Sequence, residues 1–329
     1  MSQTITIVLD LAAEAHRARL STVDSKGRFK GPALIHLHVI PSLKVFLNAF
    51  EAANPSSYWS LICCTNTKVE TVGRTGEGID LDAIMRMLDD RVKKAEVEED
   101  AAPTTLASSE PKANPNISIS KGISAGVTTA VCRINSYLNK NLPGGLANRK
   151  RKHETALSAS ASGADDGFTN LHKNSDEAKS QNNVIESRIL VIQTGEDWMP
   201  HYNNLMNCAF AAKSAGVCVD ALQLFCSSDK NEERSSMLSQ LTHITGGLFM
   251  RPPTPAGQVH GALTQILLTV YLVNKSSRNV LSPVVVETVE FKGRCYETGN
   301  KIDIGFVCNL CLSVFERKLD TCLTCGSKV

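Results

Sequence analysis

No Gly-x-Gly-x-x-Gly run follows any segment that reads as a strand, and no Gly-x4-Gly-Lys-Ser/Thr run is present. A phosphate-cradling loop for nucleotides therefore has no support. Gly73-Arg-Thr-Gly-Glu-Gly78 lacks the following lysine and reads as a loop. The histidines are scattered, with His36 and His38 at strand-like spacing. Neither a serine-nucleophile elbow nor a paired acid and base is expected, so no catalysis is predicted. A strong charge of one sign is also missing. The formal charge is +2 over 329 residues, which excludes a surface built as a whole to grip nucleic acid. Long apolar runs are absent too. Val259 to Val273 holds His260 and Gln265 and is too short to span a bilayer; it reads as a buried helix. The N-terminus lacks the basic, apolar and small-residue order of an export signal, because Asp10 interrupts Thr4-Ile-Thr-Ile-Val-Leu9. Reduced cysteines in the cytosol or nucleus are the expectation.

Eleven cysteines, an odd number, do not make a secreted disulfide framework. Four of them end the chain as Cys308-Asn-Leu-Cys311 and Cys322-Leu-Thr-Cys325. Two such hooks can place four thiolates at the corners of a tetrahedron, the geometry of a closed structural Zn²⁺ site. Thioredoxin-type redox chemistry uses a single hook beside a βαβ unit, so structural zinc is preferred to redox chemistry or another metal. Ten residues, Leu312 to Thr321, separate the hooks. That is shorter than the usual spacer of zinc ribbons and predicts a compact knuckle, folded by its metal. Cys63, Cys64, Cys132, Cys208, Cys218, Cys226 and Cys295 read as small buried hydrophobes, with Cys295 the one candidate substitute ligand.

The rest of the chain alternates. Thr4 to Leu9 is a strand. After Pro41, residues Leu43, Phe46, Leu47 and Phe50 share one helical face. Tyr58 to Cys64 is a strand, with Lys68 to Val72 folding back on it, and Leu81, Ile84, Met85, Leu88 and Val92 form a second helical stripe. Glu96 to Pro115 reads as a linker. Ser120 is placed to cap a helix through Ile123, Val127, Val131 and Leu138. Residues 143–183 carry too little apolar surface to offset ordering and are expected to be disordered. Within them, Arg149-Lys-Arg-Lys-His153 is a nuclear localisation signal, a nucleic-acid contact or a solvated charge run. Strand and helix then alternate through Arg188–Ile192, Tyr202–Phe210, Val217–Phe225, Glu233–Ile244, Gly247–Met250 and Val259–Val270. This pattern predicts a doubly wound, mostly parallel α/β sheet over residues 1–274, followed by a hinge and zinc finger over 275–329.

At Asp10 the chain resembles the von Willebrand A fold. That family holds Mg²⁺ with Asp-x-Ser-x-Ser after the first strand. Here the run is Asp10-Leu-Ala-Ala-Glu14, with Ala12 and Glu14 in the serine positions. Ser118 or Ser120 would stand for the family's later Thr and Asp197 for its last Asp. With two hydroxyls missing, Mg²⁺ is not expected, and Asp10 reads as a capping or turn residue. Asp303-Ile-Gly-Phe-Val-Cys-Asn-Leu-Cys-Leu-Ser-Val-Phe315, the second cysteine pair, Ser187–Ile192, the Tyr202–Ala212 helix and Ile244-Thr-Gly-Gly-Leu248 are similar to the TFIIH subunit 3 family. TFIIH is general transcription and DNA repair factor IIH, and this family is its smaller von Willebrand A subunit.

The resemblance implies a nuclear, non-catalytic core subunit acting in RNA polymerase II transcription initiation and nucleotide excision repair. Its implied partners are the larger von Willebrand A subunit and other core subunits that organise the helicase module. It implies no membrane partner. Cys308, Cys311, Cys322 and Cys325 would hold one structural Zn²⁺. The alternative is a zinc-finger protein contacting nucleic acid directly, through Arg149–Lys152 and Arg317-Lys318.

Overall fold

In a computed structural model, residues 3–12, 35–76, 80–100, 119–141, 185–197, 201–224, 237–251, 259–281, 293–298 and 301–328 are described. Residues 143–183, with the basic cluster, and Ser118 lie outside them. The first strand, β1 (Gln3–Asp10), is buried at every residue, which explains its unbroken β-branched run. It pairs in parallel with β2 (Tyr58–Cys64) on one side and β5 (Glu186–Gln193) on the other. Beyond β5 follow β7 (Cys218–Gln223) and β8 (Phe249–Met250), both parallel. β3 (Val69–Arg74) closes the far edge antiparallel to β2, as the fold-back at Lys68 predicts. The order is β3-β2-β1-β5-β7-β8. It reverses between β1 and β5, the switch point where ligand crevices form in such sheets.

Helices cover both faces. Ile5, Ile7 and Leu9 pack against α1 (Ile40–Ala53), α2 (Leu81–Asp100) and α6 (Val259–Ile266). Val8, between them, faces α3 (Ile123–Asn141), α4 (Tyr202–Ser214) and α5 (Met237–Thr245). The α1 stripe Leu43, Phe46, Leu47 and Phe50 is fully buried, with Pro41 in the first turn. Each such side chain stabilises by roughly 2 kcal/mol. α3 lies close on the sheet because Gly126 has no side chain; a Cβ there would sit 2.7 Å from Val8 Cγ1. The predicted α/β sheet is therefore present, wound on both faces.

Several local expectations change. α2 continues to Asp100 instead of yielding to a linker at Glu96. Glutamate is a good helix former, and no breaker arrives before Pro103. Ser120 does not cap α3; it lies in β4 (Ile119–Ser120), paired with β6 (Glu196–Asp197). The residue before α3 is Gly122, whose carbonyl accepts the Gly126 N–H at 3.0 Å. A Cβ at Gly122 would collide with the Thr65 carbonyl, which excludes a capping serine there. Phe210 is 59% exposed, because α4 meets the sheet through Leu205, Cys208, Ala209 and Ala212. Cys132 is exposed, unlike Cys63, Cys64, Cys208, Cys218 and Cys295; Cys226 lies outside the described residues.

The Val259–Val273 segment widens after α6 into a π-turn, Leu267–Tyr271. Arg188, buried in β5, reaches its end: Nη1 donates to the carbonyls of Tyr271 (2.6 Å) and Val273 (2.8 Å), and Nη2 to that of Leu272 (3.0 Å). One guanidinium thus serves carbonyls that the helix end leaves without partners. The chain then enters α7 (Lys275–Leu281), and later the short pairs β9 (Gly293–Arg294) with β10 (Lys301–Ile302) and β11 (Phe306–Val307) with β12 (Val314–Phe315).

Candidate metal centre and the carboxyl edge of the sheet

Each cysteine hook is a small closed frame. In the first, the Leu312 N–H donates to the Cys308 carbonyl (2.9 Å) and the Cys308 N–H to the Ser313 carbonyl (3.0 Å). The second repeats it: Gly326 N–H to Cys322 carbonyl (2.9 Å) and Cys322 N–H to Ser327 carbonyl (2.8 Å). The bend after each second cysteine is left-handed, at Leu312 (φ 61°) and Gly326 (φ 70°).

The frames turn all four sulfurs inward. Cys308 and Cys325 Sγ lie 3.7 Å apart, Cys311 and Cys322 Sγ 3.5 Å apart, and all four fall within 4.8 Å of one another. A tetrahedron with metal–sulfur bonds of about 2.3 Å has edges of about 3.8 Å, so the donor set fits a metal ion. Backbone N–H groups of Cys311 and Leu310 lower the Cys308 thiol to about 6. The Ser327 hydroxyl, then its N–H, holds Cys325 below the ordinary thiol range, whereas burial raises Cys322. The small core beneath is Cys308, Phe315 and Cys322 with Tyr296 and Leu319. Tyr296 meets Phe315 edge-on, centroids 6.1 Å apart. Cys295 is buried but outside the cluster of four. Asn203 on α4 donates to the Cys311 carbonyl at 2.9 Å, joining the cluster to the sheet domain.

At the switch point, Asp10 is fully buried. Its Oδ1 accepts the Ala12 N–H (3.1 Å), a local turn, and its Oδ2 accepts the N–H groups of Thr194 (3.0 Å) and Gly195 (3.2 Å). The carboxylate thus clamps the ends of β1 and β5 together. Asp197 is also engaged, accepting Gln193 Nε2 (3.0 Å) on Oδ1 and the Met237 N–H at the start of α5 (2.6 Å) on Oδ2.

The sequence does carry one Gly-x-Ser-x-Gly run, Gly122-Ile-Ser-Ala-Gly126, which corrects the expectation of none. It lies at a strand-to-helix turn, and Ser124 Oγ is 3.3 Å from His201 Nδ1. The same Nδ1 is 2.9 Å from the Lys121 carbonyl, which can only accept. Nδ1 therefore carries the proton and cannot act as a base toward Ser124.

The family described as transcription factor Tfb4 matches residues 2–326 of this chain, a stretch that holds Asp10 and all four clustered cysteines. The chain belongs to the Tfb4 family. General transcription factor IIH subunit 3 of Dictyostelium discoideum is 32% identical over 150 residues, 46% of this chain and 37% of that protein. General transcription and DNA repair factor IIH subunit TFB4 of Saccharomyces cerevisiae is 24% identical over 318 residues, 95% of this chain and 80% of that protein. The alignments with the first relatives thus span less than half of their length, as with 35% of the Debaryomyces hansenii subunit TFB4. Among solved structures, the TFIIH p34 N-terminal domain is similar at TM-score 0.45 and 22% identity, covering 82% of this chain and 96% of that one. For this Tfb4-family chain, the sheet's own order and polarity make the α/β domain von Willebrand A-like.

Sequence reasoning missed Arg188 as a buried link between β5 and the π-turn, because its three acceptors lie more than eighty positions away. It also missed the apolar surface of the cysteine unit. Ile304, Phe306, Val307, Leu310, Leu312 and Leu323 are all exposed there.

Proposed function

We propose that this chain is a nuclear, non-catalytic structural subunit of general transcription and DNA repair factor IIH, acting in transcription initiation and nucleotide excision repair. The observation that carries the reading is the Tfb4 family match across residues 2–326. In this reading residues 1–274 dock the larger von Willebrand A subunit and help organise the helicase module, while residues 275–329 form the hinge and zinc finger. Cys308, Cys311, Cys322 and Cys325 hold one Zn²⁺, which supplies the folding energy that so small a core lacks.

Physical features support a scaffold. The Asp10 carboxylate accepts backbone N–H groups and the Thr194 hydroxyl, which supports reading it as a clamp between strands. Exposed large apolar side chains on the finger are the kind of anchors that protein interfaces bury. In the alternative of direct nucleic-acid contact, Arg317 would have to exchange its exposed pairing with Glu297, at 2.6 Å, for a phosphate.

Affinity purification of the tagged chain followed by mass spectrometry tests the proposal. Recovery of other factor IIH subunits supports it. Recovery of nucleic acid alone, with the steep salt dependence of phosphate contacts, supports the alternative.

A further inference from the structure

The two hooks repeat one another beyond their cysteines. Each second cysteine is followed by one left-handed residue and then a serine: Cys311-Leu-Ser313 and Cys325-Gly-Ser327. The serine carbonyls close the backbone frames, and the hydroxyls are left to turn toward sulfur. The Cys311 thiol donates to Ser313 Oγ at 3.3 Å; a metal-bound sulfur has no proton to give, and the hydroxyl is then the one donor of the pair. Ser327 Oγ lies 2.9 Å from Cys325 Sγ and 3.6 Å from Cys308 Sγ, so it touches one sulfur from each hook. Ser313 is nearly inaccessible to solvent, at 5% exposure, so its hydroxyl has little access to water as an alternative partner.

We propose that Ser327 and Ser313 are outer-shell hydroxyl donors to the metal-bound thiolates, Ser327 giving its one proton chiefly to Cys325 with Cys308 as a longer second contact. The proposal rests on the zinc reading of the four cysteines. Four thiolates around one Zn²⁺ carry a net charge of about −2, and donors aimed at sulfur spread that charge and orient the ligands. A hydrogen bond to a charged acceptor is roughly twice as strong as a neutral one. Ser327 carries the larger share, because it lies nearer its sulfur than Ser313 does, 2.9 Å against 3.3 Å. Alanine at either position keeps the backbone frame, which uses the serine carbonyl and not its hydroxyl.

The test is zinc affinity of the full chain, measured by competition with a chromophoric chelator, together with the sulfur-to-metal charge-transfer band of the cobalt-substituted protein. Ser327→Ala is expected to bind zinc roughly tenfold more weakly and to shift that band, Ser313→Ala less so, and Ser327→Thr to recover both. Ser327→Ala with wild-type affinity and an unmoved band overturns the serine proposal alone. A wild-type chain that takes up no zinc through its four cysteines overturns the metal reading and this inference with it.

Discussion

Arg278 grips Asp220 through two hydrogen bonds of 2.7 Å, Nη1 to Oδ1 and Nη2 to Oδ2, with both side chains buried. The pair fastens α7 to β7, and Asp220 Oδ1 also accepts the Leu248 N–H at 2.9 Å. Gly247 makes this approach possible, since a Cβ there would collide with the Val219 carbonyl. Removing one partner leaves a charge buried without its counter-ion. Arg278→Met is expected to lower stability by about 3 kcal/mol, and replacing both residues with apolar ones to recover much of the loss. Urea unfolding measures both; an unchanged midpoint in the single variant contradicts the account.

Asp10→Ala removes the acceptor for the N–H groups of Ala12, Thr194 and Gly195. The expected cost is about 3 kcal/mol, since buried donors left unmade are expensive. The folded fraction should keep its partner binding, and added Mg²⁺ should leave the wild-type melting temperature unchanged. A Mg²⁺-dependent melting shift that Asp10→Ala abolishes would restore a cation site at the switch point.

Cys308→Ser and Cys322→Ser should each abolish stoichiometric zinc, because three sulfurs leave the small core without its folding energy. Elemental analysis of purified protein decides it. Full zinc in both variants would remove the assignment.

The left-handed bends predict an asymmetry between the hooks. Leu312 adopts φ 61° with a side chain 66% exposed, so Leu312→Gly should stabilise the zinc-loaded unit by about 1 kcal/mol. Gly326→Leu imposes the same strain at φ 70° and should destabilise it by a similar amount. Thermal melts that move in the same direction for both variants would speak against this geometry.

Burial pushes the Cys218 thiol up from an ordinary 9.0 to about 12, with Asp220 adding to the rise. A thiol with a raised folded value holds its proton more tightly than the unfolded chain does. Its contribution to stability is complete below about pH 9 and is lost as pH climbs toward 12. In the folded protein at pH 8, iodoacetamide should label exposed Cys132 and spare Cys63, Cys64 and Cys218 until urea is added. Rapid native labelling of Cys218 would show that the strand is open.

Much of this was legible in the residues. A β-branched run marked β1, the apolar run Ile189–Ile192 marked β5, the spacing of Leu43 to Phe50 marked α1, and Cys-x-x-Cys spacing marked the sulfur cluster. Hidden were relations that periodicity does not encode. Arg278 and Asp220 are 58 positions apart, and Arg188 stands just before the apolar run Ile189–Ile192 of its strand. Phe210 fits the apolar pattern of α4 but faces out, because small residues let the helix settle close to the sheet. Gly122-Ile-Ser-Ala-Gly126 shows the opposite case, a pattern whose chemistry depends on which nitrogen of His201 carries the proton.

The central claim is a scaffold that docks without a bound Mg²⁺. Its most direct measurement is size-exclusion chromatography of the zinc-loaded chain mixed with the larger von Willebrand A subunit of factor IIH, run with and without Mg²⁺. The account predicts co-elution at one to one in both buffers, and the same for the folded Asp10→Ala variant. Separate elution of two folded partners, or co-elution only with Mg²⁺, would contradict it.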